Sequence, residues 1–97
     1  MDISVLEVRR RPEVGSAAVR RIRRQGGVPA VLYGHGEDVI SLTVDGEALR
    51  SVIEGEQRVV RLGLEGGEQR ALVKSVQWDT FGREILHVDF TRVAMHE

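Results

Sequence analysis

The sequence predicts a mainly β domain, in which about six short antiparallel strands form a barrel or a sandwich with two short helices inserted. Three observations support this fold class. Apolar and polar residues alternate in short stretches, glycine-containing turns separate these stretches, and two segments have the helical spacing of apolar residues. With 97 residues, the chain is long enough for one hydrophobic core and too short for two. We therefore expect a single domain.

The first elements are a strand and a basic helix. Residues 3–8 have the composition of a strand. Ser16 is predicted to cap a helix over residues 17–25, and Gly26 with Gly27 supplies a left-handed end. One side of this helix is apolar and the rest is basic. The apolar side consists of Ala18, Val19 and Ile22, and the basic residues are Arg20, Arg21, Arg23 and Arg24.

The middle of the chain predicts two strands and a second helix. Residues 28–33 form an apolar run, and residues 39–44 alternate, so both are predicted strands. Asp45 is predicted to cap a short helix that ends at Gly55. The apolar stripe of this helix consists of Ala48, Leu49, Val52 and Ile53.

The last part of the chain predicts a hairpin and a final strand. Residues 58–64 and 69–78 alternate, and the turn at residues 65–68 joins them. In the final strand, residues 84–90, alternation assigns one face to the core. That face carries Leu86, Val88 and Phe90, and the other carries Ile85, His87 and Asp89. The tail, residues 94–97, is expected to be unstructured.

The composition excludes several classes of protein. No apolar run approaches the roughly 20 residues that span a bilayer, so we expect no membrane partner. Residues 1–8 lack the features of a signal peptide, which predicts a cytoplasmic protein. The absence of cysteine excludes disulfides and thiolate metal sites. The histidines, His35, His87 and His96, are scattered, and we expect no metal and no cofactor.

The charge is strongly polarised along the chain. The formal net charge is only -1. Residues 1–24, however, hold seven arginines against three acids, a net of +4, and residues 25–97 have a net of -5. Of the fourteen basic residues only Lys74 is lysine, and the planar guanidinium of arginine matches phosphate oxygens better than an ammonium group does. A basic end of this kind indicates an anionic partner.

Two groups of residues are candidates for binding. The arginine helix lacks acidic residues one turn away, and its charges match the phosphates along an RNA groove, although an acidic protein or an anionic membrane would attract them equally. His87 and Asp89 point the same way on a strand and could contact a base edge or simply form its solvent-facing side. Tyr33, at a strand end, could stack on a nucleotide or complete the core.

A hydrolase is a third reading of His87 and Asp89. No Ser or Thr stands in a strained elbow motif, and no further group completes a triad. We therefore expect no enzymatic activity and no small-molecule substrate.

Two segments resemble the bacterial ribosomal protein L25 family and its longer CTC-type relatives. Residues 11–34, RPEVGSAAVRRIRRQGGVPAVLYG, resemble the N-terminal signature, with an arginine four residues before a glycine, the R-R-x-R run and the V-P-A-x-x-Y-G strand. Residues 71–90, ALVKSVQWDTFGREILHVDF, resemble the closing strands with their H-x-D-F element. The two signatures bracket nearly the whole chain in the right order.

The resemblance implies a closed antiparallel barrel of about six strands with two or three short helices. It implies a structural constituent of the large ribosomal subunit in the cytoplasm, a monomer that binds 5S ribosomal RNA and lies beside neighbouring ribosomal proteins. The implied RNA-binding residues are Arg11, Arg20, Arg21, Arg23, Arg24, Tyr33, Gln77, His87 and Asp89. The chain, residues 1–97, would be one such domain, corresponding to the N-terminal half of a longer CTC-type protein.

Two departures bear on affinity rather than on the identity of the ligand: Ser16 stands where many relatives have lysine, and the chain is slightly acidic. The alternative function is a stress-related, L25-like module that binds a protein partner and does not bind the ribosome. Co-sedimentation with the large ribosomal subunit would separate the two.

Overall fold

The computed structural model describes residues 5–10 and 15–93. In chain order the elements are β1 (Val5–Arg10), α1 (Ser16–Arg24), β2 (Gly27–Gly34), β3 (Glu37–Asp45), α2 (Gly46–Glu54), β4 (Val59–Leu64), β5 (Gly67–Trp78) and β6 (Ile85–Arg92). The strands close into a barrel in the order β1-β3-β2-β6-β5-β4, which confirms the predicted six-stranded barrel. Neither helix in the described ranges is long and apolar enough to cross a membrane.

The strand directions differ in part from the fully antiparallel arrangement. Four of the six neighbouring pairs are antiparallel, whereas β1 with β4 and β2 with β6 are parallel. Parallel neighbours cannot be joined by a tight hairpin, and both parallel pairs join strands that are far apart in the chain. Local sequence patterns therefore indicate the hairpins but not these two pairings.

The hydrophobic core lies inside the barrel. Strand residues that alternate with exposed ones fill it, and α2 adds two side chains to the same cluster. The interior of a closed barrel is reached from its ends, so α2 covers one end. The cluster consists of Leu6, Val8, Val28, Ala30, Leu32, Leu42, Val44, Leu49, Val52, Val60, Leu62, Ala71, Ile85, Val88 and Phe90.

Helix α1 begins one residue earlier than predicted. Ser16 is its first helical residue, and Gly15 occupies the N-cap without a side-chain hydrogen bond, so the predicted cap by Ser16 is wrong. Gly15 has a φ of 121°, a conformation open to glycine and strained for other residues, which explains why the chain turns there. At the other end Gly26 has a φ of 87°, which confirms the left-handed end.

Helix α2 begins as predicted. The Asp45 carboxylate accepts a hydrogen bond from the backbone N–H of Ala48 at 3.0 Å. Gly55 is the C-cap, also as predicted, although the left-handed conformation is taken by the next residue, Glu56, with a φ of 60°.

We expect Asp45→Ala to lower the free energy of unfolding by about 1 kcal/mol, because a backbone N–H at the start of α2 loses its acceptor. Asp45→Asn keeps an acceptor oxygen and should retain most of the stability. Urea unfolding of the two variants measures the difference. Equal stability of Asp45→Ala and wild type would show that the cap contributes nothing.

Strand β6 contains a bulge that alternation did not reveal. Gln77 pairs with His87 and Trp78 pairs with Ile85, so Leu86 is an extra residue in β6. Ile85 is therefore buried and Leu86 only partly buried, and the predicted faces of these two residues are wrong. Beyond the bulge the prediction is confirmed, because Val88 and Phe90 are buried while His87 and Asp89 alternate with them.

Arg92 is buried at the end of β6, with 5% of its surface exposed. Its Nη1 and Nη2 donate to the carbonyl oxygens of Gly34 and Asp38 at 3.1 and 2.7 Å, and its Nε lies 3.6 Å from a carboxylate oxygen of Glu37. Arg92 thus ties the end of β6 to the connection between β2 and β3.

Candidate nucleic-acid interface

Three adjacent strands, β2, β6 and β5, carry polar side chains on the outside of the barrel. His87 and Asp89 face outward because the residues between and after them are buried. The register places Gln77 beside His87 and Ser75 beside Asp89 on β5. On the other side, β2 pairs with β6 in parallel and places Tyr33 beside Thr91. We call this surface the polar wall; it consists of Tyr33, Ser75, Gln77, His87 and Asp89.

The carboxylate of Asp89 connects its two neighbours in the polar wall. Its Oδ1 lies 3.1 Å from Nδ1 of His87, and its Oδ2 accepts a hydrogen bond from the Ser75 hydroxyl at 3.2 Å. The contact with Nδ1 leaves Nε2 of His87 as the ring nitrogen that can reach a ligand. The hydroxyl contacts the carboxylate and not the imidazole, so the arrangement orients His87 and does not activate Ser75 as a nucleophile.

Helix α1 packs on the outside of β2, next to the polar wall. Ala18 is buried, and Pro29 is fully buried although alternation places it on the outer face of β2. A Cβ at Gly27 would lie 3.0 Å from a side-chain carbon of Ile22 and 2.9 Å from one of Thr43. The absence of a side chain at Gly27 therefore lets the helix approach the barrel closely.

Arg23 fixes α1 to the bulge in β6. Its Nε and Nη2 donate to the carbonyl oxygen of Leu86 at 3.2 and 2.7 Å. Leu86 is the extra residue of the bulge, where the ladder is locally disrupted, and it directly precedes His87. The contact therefore holds the basic helix beside the polar wall.

The other helix arginines point away from the barrel. Arg20, Arg21 and Arg24 are exposed. In the described part of the chain, the side chains of Arg20 and Arg24 form no hydrogen bond or ion pair, whereas Arg21 takes part in an interaction within the protein. Because Arg20 and Arg24 are separated by one helical turn, their guanidinium groups lie on the same face of α1.

Most of the predicted site residues lie on one connected surface. The four helix arginines, Tyr33, Gln77, His87 and Asp89 belong to α1 or to the polar wall, and Arg11 lies outside the described residues. Ser75 was missed, since a serine on a predicted strand gives no signal of its own. Among the described residues, no group of three or more His, Asp or Glu side chains could hold a metal ion.

Comparison with known proteins gives a family match over most of the chain. The Ribosomal L25p family model matches residues 6–90. A protein from Rhodopirellula baltica named large ribosomal subunit protein bL25 is 43% identical over 93 residues, which cover 96% of this chain and 43% of the relative. Proteins of the same name from Cutibacterium acnes and Nocardia farcinica are each 40% identical over 99% of this chain, covering 47% and 49% of their own lengths.

The chain thus spans about half the length of the curated relatives that it matches. The family match itself extends from β1 to β6 and includes α1 and the polar wall. The chain therefore belongs to the ribosomal L25p family.

Proposed function

We propose that the chain is a non-catalytic constituent of the large ribosomal subunit in the cytoplasm, and that it binds 5S ribosomal RNA through α1 and the polar wall. Family membership and the names of the relatives support the ribosomal role. The observation that carries the RNA proposal is the contact of Arg23 with the carbonyl of Leu86. It holds phosphate-binding groups and base-reading groups on one surface.

The helix arginines supply affinity in this proposal. Arg20, Arg21 and Arg24 neutralise phosphates and release counterions, and Arg11, which lies outside the described residues, is proposed to have the same role. Arg23 has a second role, since two of its nitrogens already bind the barrel. Arg23 positions the helix, and its remaining guanidinium nitrogen, Nη1, can bind a phosphate.

The polar wall supplies specificity. The minor groove of an RNA helix is wide and shallow, and it displays ribose hydroxyls and base edges. Nε2 of His87, the amide of Gln77 and the carboxylate of Asp89 match such donors and acceptors. Tyr33 offers a ring and a hydroxyl at the far end of the wall. Ser75 and Asp89 hold the imidazole in place, so His87 loses little freedom on binding.

The test is binding of the chain to 5S ribosomal RNA and to an unrelated RNA of equal length as salt is raised. We expect both affinities to fall with salt while 5S RNA keeps a large advantage. Equal, weak binding of the two RNAs would contradict the proposal. It would favour the alternative of an L25-like protein-interaction module that does not bind the ribosome.

Asp89→Ala separates recognition from simple charge attraction. If Asp89 and the His87 that it orients contact the RNA, the variant should bind 5S RNA about tenfold more weakly, with an unchanged salt slope, because these contacts release no counterions. If Asp89 only repels RNA, removal of its charge should strengthen binding. Filter binding at several salt concentrations measures the affinity for 5S RNA and its salt slope. Circular dichroism verifies that the barrel is intact.

We also propose that the chain is a single RNA-binding domain, which corresponds to the N-terminal half of a longer CTC-type protein and acts as a monomer. The closed barrel with one core supports the single domain. The relatives are about twice as long as the chain, in line with a longer protein.

A further inference from the structure

The turn between β5 and β6, residues 79–84, is held by its own hydrogen bonds. The Asp79 carboxylate accepts from the backbone N–H groups of Arg83 and Glu84 at 2.7 and 3.2 Å. The backbone N–H of Asp79 donates to the carbonyl of Glu84 at 2.9 Å, and that of Gly82 donates to the carbonyl of Asp79 at 3.0 Å. The turn therefore presents its side chains from a fixed backbone.

An arginine from each helix binds the backbone at or near this turn. Arg50 of α2 donates to the carbonyl of Arg83, and Arg23 of α1 donates to the carbonyl of Leu86. The turn is thus tied to the same helix that carries Arg20 and Arg24. It also continues directly from Gln77 and His87, which lie on the two strands that it joins. The surface is continuous from the basic helix and the polar wall to the turn.

The turn presents an aromatic ring beside a guanidinium group. Phe81 is 78% exposed, and the Cζ atom of Arg83 lies 5.8 Å from the centre of its ring. Trp78, at the base of the turn, is 37% exposed with the Cζ of Arg50 5.4 Å from its ring centre. Exposed rings next to arginines are what proteins use to stack unpaired bases and to hold the adjoining phosphates.

Of the acidic residues at this corner, Asp79 and Glu54 contact groups within the protein, whereas Glu84 is exposed. The carboxylate of Asp79 binds the turn, and that of Glu54 lies 3.6 Å from Arg50. Glu84 lines a small cleft between Arg23 and Arg50. The Arg83 guanidinium forms no ion pair with the described residues, and it lies over the ring of Phe81.

From these observations, and resting on the 5S RNA function proposed above, we infer that the β5–β6 turn is a second RNA contact. Phe81 stacks on an unpaired base, and Arg83 binds a phosphate next to that base. The turn lengthens the RNA surface beyond the polar wall, and its rigid backbone and two arginine anchors keep the ring in place.

Phe81→Ala and Phe81→Tyr, assayed with 5S ribosomal RNA, test this inference. Loss of the ring should lower affinity by about 5- to 150-fold, Tyr should restore it, and the salt slope should not change. Val5→Ala is the control, because Val5 is 39% exposed on β1, in the wall opposite to the polar wall. Trp78 is the only tryptophan, so its fluorescence should change when 5S RNA binds to wild type.

Wild-type affinity of Phe81→Ala, with unchanged Trp78 emission, would overturn the inference and leave the proposed function standing. Normal RNA binding by Phe81→Ala together with weaker association with the large subunit would also overturn it, in favour of a protein contact at the turn. Failure of wild type to prefer 5S RNA would overturn the inference together with the proposed function.

Discussion

Replacement of Arg20 and Arg24 by alanine together is expected to weaken 5S RNA binding by about 10- to 100-fold at moderate salt, because two charge-assisted phosphate contacts are lost. The slope of log affinity against log salt should become shallower by about two, one for each phosphate contact that is lost. Neither side chain has a hydrogen bond or ion pair in the described part of the chain, so the fold should be unaffected.

The control for this double variant is Arg58→Ala, which removes an exposed arginine just before β4, on another part of the barrel. This control tests whether RNA affinity depends on the total charge of the chain or on the position of each arginine. It should leave the salt slope nearly unchanged. Filter binding across a salt series distinguishes the variants. An equal effect per arginine in both variants would mean that RNA contacts the chain without a preferred surface.

Arg92→Met is expected to lower the free energy of unfolding by about 2–4 kcal/mol. Methionine preserves much of the buried stem but supplies no donors, so the carbonyls of Gly34 and Asp38 lose their charged partner. The free energy of unfolding of Arg92→Lys should lie between those of wild type and Arg92→Met. A single ammonium group cannot reproduce the guanidinium fork that spans both carbonyls.

Urea unfolding followed by circular dichroism measures the effect of Arg92→Met, with Arg58→Ala as the exposed counterpart, expected to change stability by less than about 0.5 kcal/mol. The 5S RNA affinity of folded Arg92→Met should stay close to wild type, since Arg92 is buried and cannot contact RNA. A loss of stability no greater than in Arg58→Ala would show that the buried contacts contribute nothing net.

Local sequence patterns predicted the elements of this fold well. The six predicted strands are all present, and the acceptor at Asp45 and the glycine at Gly26 marked helix ends because short-range chemistry determines both. The bulge at Leu86 escaped prediction, since strict alternation has no means of indicating an extra residue. The parallel pairings escaped for a different reason, because they depend on closure of the whole barrel.

The candidate site was predictable only in part. The arginines of α1 stand out as a cluster in the sequence, and His87 with Asp89 share a strand face at a spacing of two. Nothing in the local sequence distinguishes Arg23, which binds the barrel, from Arg20 and Arg24. The side chains of those two form no hydrogen bond or ion pair with the described residues. Arg50 and Arg92 gave no signal either, because each is an isolated arginine whose partners lie far away in the chain.

The most direct test of the central claim, that α1 and the polar wall form one 5S RNA surface, is an NMR titration of the isotope-labelled chain with 5S ribosomal RNA. Resonance changes should concentrate in α1 and in outward residues of β2, β5 and β6, while the opposite wall of β3, β1 and β4 stays unchanged. Changes confined to the opposite wall, or changes in α1 without any at His87 and Asp89, would contradict the claim.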